Sequence, residues 1–315
     1  MIRKRVKMLT GVIALFVVAT IFFVQREVNN IKMMAAHEQW QEKRVADLLE
    51  KESSWLNLAG LFWMEEGEWT IGAGTDNDFV LREGDAAERL GTFIREGDQV
   101  YFEPVEGGEV KAGDEIVAER LTLIDDEGGY GDPTILSAGQ LQWWVITRDG
   151  LIGIRVRNLE SEHWAGFEGI DSYPFDTDWQ MEAQFLPFEE ARQFEYPTIL
   201  GTMREEAAPG MLVFELEGRQ FEMIPFERKG GTQLFLVFGD QTNGTNTYEG
   251  GRFLYVNMPD ETGKTIIDFN RAYNPPCAFS PYSTCPQPLR QNRLSFSVDA
   301  GEQIYKKGTS SIANS

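Results

Sequence analysis

Five of the chain's thirteen prolines and both of its cysteines fall between residues 268 and 293. Pro275, Pro276, Pro281, Pro286 and Pro288 each lack a backbone donor and hold φ in a narrow range. Such a stretch is neither a helix interior nor a central strand. It reads as a long, ordered loop, and loops of that length inside compact domains are commonly functional. Between the prolines lie Asp268, Asn270, Arg271, Tyr273, Asn274, Asn292 and Arg293, all able to hydrogen bond.

The rest of the body has the rhythm of short strands. Apolar and aromatic runs of four to eight residues recur from Leu58 to Val298, broken by Gly, Asn and Asp clusters. Gln142–Thr147 and Leu151–Val156 flank Arg148-Asp149-Gly150, and an Asp-Gly between two such runs is a strong hairpin signal. The pattern predicts an all-β fold, an antiparallel sandwich or barrel-like body. A soft boundary near 160–180 divides it into β subdomains at 54–165 and 166–304, with a loose polar tail at 305–315. The run Ile71 to Leu81 reads as a hairpin. It lacks the arginine and Ser-x-x-His of a phosphothreonine-binding forkhead-associated domain, with Ala73 following the glycine.

The N-terminus differs in character. Met8 to Gln25 is eighteen residues without a charge, preceded by Arg3, Lys4, Arg5 and Lys7. That length is near the lower limit for a helical membrane span, and flanking bases of this kind stay cytoplasmic. We expect a transmembrane signal anchor within 1–29, with a cleaved signal peptide as the rival reading. A juxtamembrane helix at 30–53 then leads to an extracytoplasmic body. Outside the cytoplasm, Cys277 and Cys285 most simply form a disulfide, with free structural thiols or a reactive thiol as alternatives. With two histidines in the chain, His37 and His163, a zinc site is weakly supported.

Beyond the basic tip, 25 bases face 50 acids. A body this acidic excludes nucleic acid as a partner. No phosphate loop, dinucleotide fingerprint or nucleophile elbow is present. No cofactor is expected.

The candidate site gathers three segments. Asp268, Asn270, Arg271, Tyr273 and Asn274 open the proline loop. Asn292 and Arg293 close it, and Asp240, Tyr248 and Arg252 come from the strands before it. Guanidinium forks suit carboxylate or phosphate, and Asn offers donor and acceptor together. Such a cluster fits a small polar ligand. It equally fits a structural role, with the Asx side chains satisfying loop backbone and Asp268 pairing with arginine. Asp240 to Asn246 could present oxygen ligands to calcium but lacks the acid pattern of an EF-hand, so an Asn-Gly turn is the better reading. Trp143, Trp144 and Trp164 could stack on a sugar, although core packing suits them better.

The loop sequence Asp268-Phe269-Asn270-Arg271-Ala272-Tyr273-Asn274-Pro275-Pro276-Cys277, with Thr284-Cys285-Pro286 and Asn292-Arg293-Leu294, resembles the bacterial family known as domain of unknown function 1684. Trp55-Leu56, Gly60 to Trp63, Gly150 to Arg157, Tyr173-Pro174, Leu200-Gly201, Pro209-Gly210 and Asp240 to Phe253 extend that resemblance over roughly residues 50–302. At Asn158 the family pattern leads one to expect an aspartate. The resemblance implies no activity. The expected function is a membrane-anchored ligand-binding or scaffold domain with a polar pocket at the proline loop. The alternative is a hydrolase of a polar envelope substrate, with Asp268 as acid/base and Arg271 or Arg293 stabilising charge.

Overall fold

The computed structural model describes residues 2–306 apart from 83, 130, 229 and 230, with side chains from residue 24 onward, residue 128 excepted. The chain is mostly β, arranged in several antiparallel sheets. The expected anchor, Met8 to Gln25, lies almost wholly outside the described side chains. Among the described residues no helix is long and apolar enough to cross a membrane.

Helix α1 (Ile2–Leu49) ends where Ser54 folds back. The Ser54 hydroxyl donates to Leu48 O and accepts from Leu56 N, which closes the helix and starts the next turn. Eleven strands follow before residue 159. They are β1 (Leu58–Met64), β2 (Gly67–Gly72), β3 (Phe79–Val80), β4 (Gly91–Glu96), β5 (Gln99–Pro104), β6 (Lys111–Ala112), β7 (Glu115–Ile116), β8 (Leu121–Leu123), β9 (Leu136–Ala138), β10 (Leu141–Arg148) and β11 (Leu151–Asn158). They form a six-stranded sheet, β1-β11-β10-β9-β6-β7, and a five-stranded sheet, β3-β2-β4-β5-β8. One core joins both sheets and includes Ile71, Phe93, Phe102, Trp143, Ile154 and Val156. The Ile71 to Leu81 hairpin expectation is corrected here, because β2 and β3 pair in parallel. Asn77 donates to Gly74 O and Glu88 O, so the connection loops around instead of reversing.

Seven strands follow: β12 (Gln180–Pro197), β13 (Met203–Leu216), β14 (Arg219–Met223), β15 (Phe226–Glu227), β16 (Gln233–Phe238), β17 (Arg252–Asn257) and β18 (Lys264–Asp268). They make a four-stranded sheet, β14-β13-β12-β18, and a three-stranded sheet, β15-β16-β17. Leu212, Phe214, Leu236, Leu254 and Phe269 fill the space between these sheets. β12 runs nine residues past the Phe188 at which the sequence pattern ends. Its register with β13 breaks between Pro187 and Arg192, so the distal part swings out as a two-stranded arm. The charged run Glu189 to Arg192 hides this extension, because it carries no apolar alternation.

β16 is buried along nearly its whole length. Leu234, Leu236 and Phe238 face the core, while Phe235 and Val237 pack with Phe253 and Cys285 beneath the proline loop. A strand covered on both faces reads as a continuous apolar run. The loop is stitched down by backbone bonds: Phe253 and Tyr273 exchange both of theirs, Ile199 N donates to Cys285 O and Leu294 N to Gly239 O. Cys277 and Cys285 are joined as a disulfide. Tyr305, expected in a loose tail, packs on Phe279 and bonds His163; residues 307–315 lie outside the described residues.

His37 seats α1 on this body. Its ring lies against Trp40 and Phe175 and is 4% exposed. Burial holds its pKa below the usual 6.5. Asp268 and Glu38 oppose that effect, whereas Arg271 adds to it. The unfolded or undocked ring therefore takes up a proton first. The docked state keeps its full stability above pH about 6.5 and loses it as pH falls through the lowered value. We expect the protection of amides in the second half of α1, after correction for the intrinsic pH dependence of exchange, to fall between pH 7.5 and 5.5 in the wild type and to stay constant in His37→Gln. Identical profiles would refute this role.

Candidate functional site

The β10–β11 hairpin decides what faces the cavity. Arg148 pairs with Leu151, leaving Asp149 and Gly150 as a two-residue turn with φ of 52° and 81°. Strand alternation then sends Ile152, Ile154 and Val156 into the first core, and Gly153, Arg155 and Arg157 to the opposite face. That face also carries Trp144 and Arg148, since Trp144 stands opposite Arg155. A solitary sheet would leave these arginines in water. Here the second half of the chain covers them.

The result is a cavity of about 410 Å³ between the two halves. Arg148 and Arg155 come from β10 and β11. Arg204 comes from the β13 arm, Arg228 from beyond β15, and Arg44 from α1. Phe235, Phe253, Tyr255 and Tyr273 supply an aromatic wall, and Ser283 to Pro286 of the proline loop supply a rim. No aspartate or glutamate lines it among the described residues. In a chain of net charge −21, five guanidiniums around an acid-free cavity are a local reversal of the overall field.

Four of the five arginines are held from behind by carboxylates. Asp126 grips both Arg148 terminal nitrogens at 2.7 and 2.6 Å. Asp149, in the hairpin turn itself, accepts from Arg204 Nε at 2.9 Å and from Thr202. Glu206 accepts from Arg228 at 2.8 Å, and that guanidinium lies 3.9 Å above the Phe235 ring. Glu302 accepts from Arg44 Nε at 3.0 Å, while Arg44 also donates to Asn274 O and stacks on Tyr273. Glu302 accepts in turn from Asn274 N, which ties α1 to the proline loop.

Arg155 is the exception. It is 4% exposed, its Nε has no partner, and its one hydrogen bond is a long 3.3 Å contact to Thr284 Oγ1. Among the described residues no carboxylate pairs with it. Burial, and then the charge of Arg148, push its pKa down to about 10. Asp126, already bound to Arg148, offsets this only in part, so Arg155 is a buried guanidinium with no acid of its own. That is costly unless something else supplies the counter-charge. Ser283 Oγ, on the rim, is also buried without a partner.

The structure separates most of the residues that sequence reasoning had grouped. Tyr273 and Asn274 line the cavity. Asp268 does not. It caps the 3-10 turn Phe269–Arg271 and accepts from Asn270 N, Asn270 Nδ2 and Gln180 Nε2, with Arg271 at 3.5 Å. The chain leaves the strand at Asp268, so Asn270 turns inward to bond Asp176 rather than sharing a strand face with Asp268. Arg252 and Asp240 form a fully buried pair, the arginine also donating to Ala300 O and Val298 O. With Asp240 also receiving Thr242 and Val298 N, no oxygen there is left for calcium. Asn292 is buried on the backbone of Ile224 and Val237. Tyr248 packs in the 243–251 turn, and Arg293 is exposed beside Gly239. Asn158 bonds Asp85, so the acid there is supplied from another segment. Trp143 and Trp144 are buried as packing residues.

Sequence reasoning missed all five cavity arginines, Arg44, Arg148, Arg155, Arg204 and Arg228. The signal for Arg155 was present in the alternation of β11, where two arginines share a face opposite three branched aliphatics. Arg157 shares that face but is spent on Glu52 O and on the Trp144 ring. A larger groove of about 910 Å³ lies between α1 and residues 170–175. It is mainly apolar and has no comparable convergence of donors.

The family resemblance is shown over residues 165–303. There the chain matches the family model described as "Protein of unknown function (DUF1684)". The matched segment holds Arg204, Arg228, the aromatic wall and the proline loop, while Arg44, Arg148 and Arg155 lie before it. No curated protein matches. Among solved structures, the solution NMR structure of an uncharacterized protein of Haloarcula marismortui is 29% identical. The match covers 44% of this chain and 77% of that one, with a TM-score of 0.37.

Proposed function

We propose that this protein binds a small anionic ligand in the arginine-lined cavity between its two β halves, and that it does so outside the cytoplasm, tethered by its N-terminal segment. The observation that carries the binding reading is Arg155, a buried cation that among the described residues has no carboxylate paired to it and sits in a cavity whose described lining holds none. A ligand anion supplies the missing charge. The volume falls within the usual range of about 300–1,000 Å³ for small-molecule sites, with an apolar wall and few convergent polar groups.

Replacing Arg155 by Met tests this directly. The variant is expected to lose anion binding by at least about tenfold, measured by calorimetry with acetate, benzoate and inorganic phosphate at fixed ionic strength. The ligand-free variant is expected to be more stable in urea than the wild type, by about 1–3 kcal/mol, because an unpaired buried charge is removed at similar volume. Unchanged anion affinity in Arg155→Met, or a wild type that binds none of the three, sinks the reading.

The hydrolytic alternative draws no support from the geometry. Asp268 is engaged by three protein donors and touches no described cavity, and Arg271 and Arg293 lie away from the arginine cluster. The tether reading rests on the uncharged run Met8 to Gln25 behind four bases, and the Cys277–Cys285 disulfide fits an oxidising compartment. Protease added to intact spheroplasts is expected to digest the body, and full protection would refute this topology.

A further inference from the structure

We infer that the ligand is a monocarboxylate carried on a flat aromatic or unsaturated body. This rests on the anion-binding reading and specifies its chemistry. The charge count comes first. Among the described residues Arg44, Arg148, Arg204 and Arg228 each have a carboxylate partner, Glu302, Asp126, Asp149 and Glu206 respectively. Arg155 leaves one positive charge. A carboxylate neutralises it, whereas a phosphate monoester near −2 would leave one negative charge buried without compensation.

Geometry points the same way. A guanidinium presents a planar fork that pairs with a carboxylate edge to edge. Arg155 commits only one of its nitrogens to a protein hydrogen bond, the long contact to Thr284, and the hydroxyl of Ser283 in the same lining is unpartnered. The remaining wall is aromatic. Phe235 packs edge-on to Phe253 at 5.0 Å and against Tyr255 at 5.2 Å. Tyr255 is 43% exposed, so its ring offers a face to a guest. Rings of this kind favour offset or edge contacts with another flat π system over contact with water.

The test measures the full-length chain against benzoate, acetate, inorganic phosphate and benzyl alcohol by calorimetry at constant ionic strength. Benzoate is expected to bind at least tenfold more tightly than acetate or phosphate, and benzyl alcohol not measurably. Tyr255→Ala removes an exposed ring and should fold normally. It is expected to bring benzoate affinity down to that of acetate, erasing the benzoate advantage. Phosphate binding more tightly than benzoate, or equal affinity for benzoate and acetate, overturns the inference and leaves the anion reading standing. Absence of binding by every anion overturns both.

Discussion

Arg252→Met is expected to destabilise the protein by about 3–5 kcal/mol. The pair Arg252–Asp240 has no solvent exposure on either side chain and a separation of 2.9 Å. Removing the arginine leaves Asp240 as a buried anion. It also strips donors from the carbonyls of Ala300, Val298 and Glu302, which anchor the C-terminal segment against the sheets of the second half. Each unsatisfied buried acceptor adds to the cost. The midpoint in urea should fall sharply. Because Arg252 lies away from the cavity, folded Arg252→Met protein should keep wild-type affinity for anions. A loss of less than about 1 kcal/mol would mean the pair contributes little here, as exposed pairs generally do.

Asn292→Ala is expected to cost about 3 kcal/mol, by the same logic without a charge. The amide of Asn292 satisfies three buried backbone groups at once: Ile224 N at 2.7 Å, Ile224 O at 2.9 Å and Val237 O at 3.0 Å. It thereby joins the end of the proline loop to the turn after β14 and to β16. Alanine removes the partner of all three groups. Unfolding monitored by tryptophan fluorescence should shift to lower urea with no change in ligand affinity. A change in affinity at unchanged stability would return Asn292 to the ligand site.

These two positions show how a polar side chain in a loop signature divides between architecture and chemistry. Asp240, Arg252, Asn270 and Asn292 are needed because a long proline-rich crossing cannot satisfy its own backbone. Tyr273 and Asn274 sit in the same signature and do reach the cavity. One-dimensional spacing does not separate the two groups, since the distinction lies in which way the loop folds over β16 and β17.

The cavity also reveals an economy in the hairpin turn. Asp149 adopts the left-handed conformation the turn requires, and its carboxylate then reaches across to Arg204 and Thr202. A residue chosen for turn geometry thus docks the arm of one half against the other and aims a guanidinium at the cavity. On the opposite side Glu302 links α1 to the loop. Movement of α1 would therefore disturb Arg44 and Asn274 together.

Strand rhythm, the Asp149-Gly150 turn and the ordered proline loop were all readable from the residues, because period-two alternation and restricted φ act locally. The direction in which Arg155 points was readable as well. Its burial was not, because that depends on a sheet formed almost a hundred residues later laying its aromatic face over the arginines. Long-range packing turned a strand face that looks solvated into one wall of an arginine-lined cavity, and it engaged most of the polar residues of the loop with partners of their own.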